Sequence, residues 1–298
     1  MAEGWEYTLI NSLAKMASLT TLSLAIDHRG EEPKFGENLM AVRSLSTLSV
    51  VINGCQFTYF WGKFLRKCLD ECNSLTKLCL TRNDSKEHED SPYNATFLNR
   101  VSEGLIEKPV SWLEGLRFGL PSTSSLKELV ITINNITSYY FLNFNWIAIL
   151  IEGLSVNNSI ASLTVTVSDY EFSSFECWVD SLKSCIAENK SLTTLTLTLN
   201  DYSDVGWLPQ GRRDGDFPEN TSLTELNLTV NIRREVSEDW LPFFCDYLMM
   251  NCSSLRTVRL KVNNLCATSN SRIYDLRKLR LKYRSLSTFE LSVTFYGE

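Results

Sequence analysis

One short phrase recurs from one end of the 298-residue chain to the other, and this recurrence limits the possible folds more than any other feature. Its clearest copy spans residues 191–200 and reads SLTTLTLTLN. Each copy has an anchor leucine or isoleucine after a serine, and the nine anchors are Leu19, Leu45, Leu75, Leu126, Ile160, Leu192, Leu223, Leu255 and Leu286. Successive anchors lie 26, 30, 51, 34, 32, 31, 32 and 31 residues apart. A steady period in the thirties predicts a solenoid in which each unit packs on its neighbours.

Each phrase alternates between apolar and polar residues. When the anchor is counted as position 1, apolar side chains occupy positions 4, 6 and 8, as with Leu195 and Leu197. Positions 3, 5 and 7 hold mostly small polar residues, as with Thr196 and Thr198. This alternation predicts a strand in every unit, with one face buried and the other toward water. The first strand is expected over residues 19–26.

A second periodicity precedes the strands. Tryptophans stand 14 or 15 residues before six of the anchors, at Trp5, Trp61, Trp112, Trp146, Trp178 and Trp240. Apolar residues follow at steps of four, as with Leu65 and Leu69. That spacing predicts an amphipathic helix of about three turns before each strand. We expect the tryptophans to pack in the core, because an indole brings a large apolar area to the start of a helix.

Asparagine holds position 9 in six copies, namely Asn53, Asn83, Asn134, Asn200, Asn231 and Asn263, and the other copies have Asp27, Ser168 and Thr294 there. An amide side chain both donates and accepts hydrogen bonds. We therefore expect a buried stack of these asparagines that bonds to main-chain groups. The pattern L-x-x-L-x-L-x-x-N is matched by Leu192, Leu195, Leu197 and Asn200, so the chain resembles leucine-rich repeat proteins along nearly its whole length.

The resemblance implies an α/β leucine-rich repeat solenoid of horseshoe shape, with parallel strands on the concave face and helices on the convex face. About nine units form a single domain over residues 1–298, with an insertion at about 84–111. The amino-acid sequence of the repeat is similar to that of the repeat regions of invertebrate, especially cnidarian, NACHT-type (NLR) innate immune receptors. This similarity implies a protein-binding or ligand-sensing module, as the recognition or autoinhibitory part of such a receptor.

Composition and cysteine usage predict a cytoplasmic protein. No apolar run approaches the ~20 residues that span a bilayer, so a membrane partner is not expected. The first ten residues, MAEGWEYTLI, do not read as a secretory signal. Nine cysteines without a CxxC pair are typical of reduced, mostly buried thiols.

Several N-x-S/T sequons leave a secreted receptor ectodomain open as an alternative. Such an ectodomain would carry glycans at Asn94 and Asn135. The repeat phrase itself generates four of the other sequons, at Asn157, Asn189, Asn220 and Asn251. The sequons therefore weigh little against the cytoplasm.

No residue set in the sequence points to catalysis. The two histidines, His28 and His88, fall in expected loops, and neither belongs to a nucleophile or metal motif. Cys68 and Cys72 share a helix face, but no histidine stands near them as a further metal ligand. The phosphate-binding loop G-x-x-x-x-G-K-[ST] is absent. We expect neither an enzyme nor a cofactor nor a bound metal.

The predicted binding residues are the water-facing positions 5 and 7 of the last four units. They are Thr196, Thr198, Asn227, Thr229, Arg259, Lys261, Glu290 and Ser292. Sheets of this kind bind by many modest contacts with a few dominant anchors, so the expected partner on the concave face is a protein or a microbial ligand. Nucleic acid is disfavoured, because the basic residues between 277 and 282 fall on the last helix and hence on the convex side.

A second function remains open at the ends of the solenoid. A terminal unit without a polar cap exposes apolar surface. The chain would then serve as a structural self-association or scaffold module, or contact other domains of a longer receptor from which it derives.

Overall fold

The computed structural model describes residues 18–27, 42–53, 59–83, 112–134, 146–168, 185–202, 219–232, 250–265 and 286–295, together with Ser12, Met16 and Lys183. The insertion at 84–111, both histidines and the predicted helix starts at Trp5, Trp178 and Trp240 lie outside these residues. Those predictions stand as predictions.

Nine strands form one all-parallel sheet within the described residues. They are β1 Thr21–Asp27, β2 Thr47–Asn53, β3 Lys77–Asn83, β4 Glu128–Asn134, β5 Ser162–Ser168, β6 Thr194–Tyr202, β7 Glu225–Ile232, β8 Thr257–Leu265 and β9 Thr288–Phe295. Each strand pairs in parallel with the next strand along the chain. The α/β class and the parallel strands are confirmed. β3 pairs directly with β4, although the insertion separates them in the sequence.

The repeat phrase sets the register of the sheet. Residues at the same position of the phrase are neighbours on adjacent strands, as Leu163, Leu195 and Leu226 are at position 4. Every strand begins at position 3, so the expected start of β1 at residue 19 is wrong by two residues. The anchor lies in the turn before the strand, where the amide of Leu19 donates to the carbonyl of Met16 at 3.1 Å.

Three helices are described, and they pack on the face of the sheet that carries positions 4, 6 and 8. They are α1 Tyr59–Glu71, α2 Trp112–Gly119 and α3 Trp146–Ser155. Helix residues such as Leu65, Leu116 and Leu150 share one continuous core with the strand residues at those positions. Trp112 is buried at the start of α2, as predicted for the core. Each unit therefore buries its apolar face only by stacking on its neighbours.

Glycine permits close approach between α1 and α2. A Cβ atom added to Gly115 would lie 2.3 Å from the carbonyl oxygen of Gly62. No side chain fits at that distance, so the two helices are in backbone contact there. The next contact, between Gly153 of α3 and the backbone of Arg117, is looser at 3.0 Å.

Neighbouring units are joined by the same hydrogen bonds in the turn that enters each strand. The amides of Thr193 and Thr194, at positions 2 and 3, donate to the carbonyl oxygen of Ala161 at 2.8 and 3.0 Å. The Thr193 hydroxyl donates to that oxygen as well, at 3.0 Å. All eight steps of the sheet repeat the two amide bonds. The Thr193 hydroxyl is thus a third donor, on the exposed side, to a carbonyl that both amides already satisfy.

A column of buried asparagines crosses three successive turns. Its members are Asn157, Asn189 and Asn220, with exposed fractions of 0%, 2% and 1%. The side-chain amide of each donates to two carbonyls of the preceding unit, one of them at the end of the preceding helix. The side-chain oxygen of each accepts from two amides of its own turn. At these three sequons, the asparagine is explained by the side-chain amide that satisfies main-chain groups of the turn.

One strand departs from the predicted apolar pattern. Arg82 of β3 stands at position 8, where the other units have an aliphatic residue, and it is only 7% exposed. The thiols follow the prediction more closely, since Cys68, Cys72, Cys185 and Cys252 are buried and none of them is in a disulfide. Burial raises the pKa of Cys185 and of Cys252 to about 12. These thiols are held in the unreactive neutral form.

Candidate binding face

The face of the sheet that carries positions 3, 5 and 7 bears no helix within the described residues, and we call it the open face. Its side chains are partly or fully exposed on every strand where the structure describes them, while the alternate side chains are buried from β2 to β8. This alternation follows from the two-residue period of a strand. All eight predicted binding residues lie on this face, as the sequence predicted.

Strand register brings the eight residues together in two rows across β6 to β9. Position 5 forms the row Thr196, Asn227, Arg259 and Glu290. Position 7 forms the row Thr198, Thr229, Lys261 and Ser292. Adjacent members of a row are one strand spacing apart, about 4.8 Å. The predicted set is thus one contiguous surface.

The row at position 5 is an ordered polar network around Arg259. The guanidinium of Arg259 donates to Glu225 and to Asn227 on β7, the latter at 3.2 Å. On the other side its Nε lies 3.2 Å from a carboxylate oxygen of Glu290. Asn227 donates onward to the Thr196 hydroxyl at 3.3 Å. Half-exposed ion pairs contribute less than about 1 kcal/mol each, so their main effect is to fix the direction of the guanidinium.

Glu225 is a member of this network that the sequence prediction missed. It stands at position 3 of β7, and the prediction included only positions 5 and 7. The parallel register places position 3 of one strand diagonally beside position 5 of the next, and a long arginine side chain spans that distance. An opposite charge one register step away is the signal that would have revealed Glu225.

The row at position 7 differs because its charge is not neutralised. Lys261 makes no ion pair or hydrogen bond with any residue in the described ranges, and it is exposed. Its neighbours in the row are Thr229 and Ser292, whose hydroxyls are likewise unbonded within those ranges. One free ammonium between two free hydroxyls presents donors to solvent. This arrangement suits an anionic group on a partner.

The asparagines at position 9 form a ladder at one edge of the open face. Each amide donates to the residue at position 9 of the preceding strand, from Asn83 to Asn53 at 2.7 Å, from Asn134 to Asn83 at 2.8 Å and from Asn200 to Ser168 at 2.9 Å. The ladder continues through Asn231 and Asn263 to Thr294. The prediction of a buried stack is wrong, because these side chains are half-buried and bond to one another. The buried amides that serve main-chain groups are Asn157, Asn189 and Asn220.

No known protein-family model matches the chain, and neither does any curated protein.

The other end of the open face has a different character. On β3 and β4 the side chains of Lys77 and Glu128 form an ion pair at 2.7 Å, and the carboxylate raises the pKa of Lys77. Beside them lie Cys79, Val130 and Val51 at positions 5 and 7. Partial burial raises the pKa of the Cys79 thiol. The face therefore changes from partly apolar on β2 to β4, through hydroxyl-rich on β5 and β6, to charged on β7 to β9.

Neither a metal centre nor a membrane span occurs within the described ranges. No three histidine, cysteine, aspartate or glutamate side chains there are grouped so as to hold a metal ion. Among the helices of those ranges, none has the length and apolar character that crossing a membrane requires.

Proposed function

We propose that the chain is a leucine-rich repeat binding module whose open face recognises a protein partner. The nine in-register copies of the repeat phrase and the helices on one side of the sheet support this assignment. Helices are wider than the spacing of adjacent strands, so a stack of such units bends into a horseshoe with the open face inside. The resemblance of the repeat sequence to NLR repeat regions supports a role as the recognition or autoinhibitory part of an NLR-like innate immune receptor.

The observation that carries the proposal is the contrast between Arg259 and Lys261. Arg259 is held between two carboxylates, whereas Lys261, two residues along the same strand, has no partner in the described ranges. A fixed network beside a free charge is a preorganised surface, and preorganisation reduces the ordering cost of binding. The partner accordingly presents an acidic side chain to Lys261 and polar groups to the threonine rows.

Selection from a random peptide library tests this proposal and does not require that the natural partner be identified first. Peptides are selected on the full-length chain, and the affinity of the best ones is measured by titration. We expect the selected peptides to be rich in aspartate and glutamate. Lys261→Glu should weaken their binding at least tenfold, which corresponds to about 1.4 kcal/mol.

The matched control is Lys127→Glu. Lys127 is exposed in the turn before β4 and lies outside positions 3, 5 and 7, where its ammonium contacts the carbonyl of Ser124 at 3.3 Å. The same charge reversal there should leave the affinity unchanged. Equal affinity of the wild type and Lys261→Glu, or equal losses in both variants, would refute the assignment of the open face.

We also propose that the chain acts in the cytoplasm. The sequon asparagines 157, 189 and 220 each make four hydrogen bonds to main-chain groups in the core, and a glycan on any of them is incompatible with that packing. Expression behind a secretion signal should therefore yield glycosylated chains that do not fold, as measured by glycan mass and circular dichroism. Folded secreted chains with glycans at Asn94 and Asn135 alone would favour the ectodomain alternative.

A further inference from the structure

Three side chains on the open face are apolar although they lie outside the core. Val51, Cys79 and Val130 occupy position 5 or 7 of β2, β3 and β4, where each strand from β5 to β9 carries only hydroxyl, amide or charged side chains. All three are partly exposed, whereas the residues before and after each of them are buried in the core on the other face of the sheet. We call these three side chains the apolar patch. Exposed apolar groups that do not serve the core mark a surface for a partner.

Strand register makes the apolar patch contiguous and uncharged. Cys79 and Val130 are direct neighbours on β3 and β4, and Val51 stands diagonally beside Cys79 on β2. The charges at positions 3, 5 and 7 of these three strands are those of Lys77 and Glu128, which neutralise each other in an ion pair. The Cys79 thiol stays neutral as well, since partial burial raises its pKa. The patch therefore suits an uncharged apolar side chain of a partner.

Hydroxyl groups fill the open face between the apolar patch and Lys261. Position 7 is threonine on five successive strands, namely Thr81, Thr132, Thr166, Thr198 and Thr229. Their hydroxyls make no hydrogen bond within the part of the chain that the structure describes. A hydroxyl both donates and accepts, so this row suits the main-chain amides and carbonyls of a partner. An extended segment has such groups available, whereas a helix pairs them internally.

We propose that the partner is an extended protein segment that crosses the strands, with an apolar residue on the apolar patch and an acidic residue on Lys261. This inference rests on the binding function proposed above and adds the order and the spacing of the partner's residues. The reverse placement would cover the ammonium with an apolar group and desolvate it.

The sheet sets the distance between the two contacts. Val130 and Lys261 are four strands apart, about 19 Å along the sheet, and Val51 and Lys261 are six strands apart, about 29 Å. An extended chain rises about 3.3 Å per residue, so about six to nine residues of the partner separate its apolar residue from its acidic one.

Peptides selected on the whole chain test the spacing. The library contains random peptides of about 24 residues, which are long enough for an extended or a helical segment. We expect each binding peptide to hold an apolar and an acidic cluster about six to nine residues apart. A helix rises only about 1.5 Å per residue, so a spacing of about 13 to 19 residues would identify a helical partner and overturn the proposal. Clusters at no fixed spacing would overturn it as well.

Variants of the chain locate the two ends of the tightest peptide. Val130→Lys and Lys261→Glu should each weaken its binding by about tenfold or more. Val156→Lys makes the same apolar-to-charged change in the turn after α3, where Val156 is 56% exposed and lies outside the open face. This control should leave the affinity unchanged, and a loss equal to that in Val130→Lys would overturn the inference. If Val130→Lys fails to fold by circular dichroism, Val51→Lys replaces it.

Replacing one cluster of the peptide at a time assigns each end to its contact. When serines replace the apolar cluster, Val130→Lys should have no further effect while Lys261→Glu keeps its own, and replacement of the acidic cluster should give the converse. Effects assigned to the opposite ends would overturn the inference. A loss of affinity in Lys261→Glu but not in Val130→Lys would overturn it and leave the proposed function standing, whereas no loss in Lys261→Glu would refute both.

Discussion

Asn189 joins two repeat units through four hydrogen bonds to main-chain groups, and its replacement by alanine tests how the units are held together. Its amide donates to the carbonyls of Leu154 at 2.6 Å and Asn157 at 3.0 Å. Its side-chain oxygen accepts from the amides of Ser191 at 2.9 Å and Leu192 at 2.7 Å. The residue is only 2% exposed, so water does not readily replace these bonds.

The magnitude follows from the number of groups left unpaired. A buried main-chain group without a partner costs about 1–3 kcal/mol. The two carbonyls keep another donor, since the Asn157 amide donates to Leu154 at 3.1 Å and the Ser191 hydroxyl donates to Asn157 at 3.3 Å. The amides of Ser191 and Leu192 are the groups left unpaired, so Asn189→Ala should lower the free energy of unfolding by about 2–6 kcal/mol. This is a large share of the stability of a typical domain. Urea denaturation followed by circular dichroism measures the change directly.

Asn200→Ala is the matched control, because it removes the same side chain from the half-buried ladder at position 9. Asn200 bonds to the side chains of Ser168 and Asn231 at 2.9 and 2.5 Å, and water can reach the groups that its loss exposes. We expect a loss of about 1 kcal/mol. If Asn189→Ala costs no more than Asn200→Ala, the buried asparagine column does not hold the units together and the reasoning is wrong.

Three further predictions concern the core. Leu197→Asp should lower the free energy of unfolding by about 4 kcal/mol, because Leu197 is 4% exposed and the new charge has no partner. Thr198→Asp on the open face should lower it by less than about 1 kcal/mol, and equal losses in urea denaturation would contradict the assignment of faces. Gly115→Ala should cost about 2 kcal/mol more than Gly153→Ala, since the added Cβ meets backbone at 2.3 Å in one case and at 3.0 Å in the other; similar urea midpoints would refute the close helix contact. Because the pKa of Cys185 is raised from 9.0 in the unfolded chain to about 12, the unfolded chain loses the proton first, so stability should fall as pH rises through this window. Cys185→Ala should reduce the fall in urea midpoint between pH 7 and about 10. An unchanged fall would contradict the burial of the thiol.

Much of the fold could be predicted because nine copies of the repeat phrase carry the same pattern of apolar and polar residues. The alternation at positions 3 to 8 predicted which side chains face the core, and the shared spacing predicted the parallel register. Arg82 is the exception among the core positions, and no periodic rule identifies a single departure of that kind. The predicted starts of α2 and α3 at Trp112 and Trp146 are confirmed, whereas α1 begins at Tyr59, two residues before the predicted start at Trp61.

The candidate site was predictable in position but not in its pairing. The sequence placed Arg259 and Lys261 on one face with Asn227 and Glu290, and the structure brings them together. It did not show that Arg259 is engaged by Glu225 and Glu290 while Lys261 is left free. Those pairings depend on which neighbours lie within side-chain reach across strands, and this distance is a property of the assembled sheet.

By itself, then, the sequence determined the repeating unit, the direction of its strands and the face that each side chain takes, because a two-residue period and a constant spacing leave no other arrangement that buries the leucines. Tertiary structure alone decided which asparagines are buried. The six at position 9 and the three before the anchors look alike in the sequence, but their hydrogen-bond partners are about one repeat away along the chain. Stacking of the units brings position 9 next to other side chains and the turn asparagines next to unpaired carbonyls, so only the second group becomes part of the core.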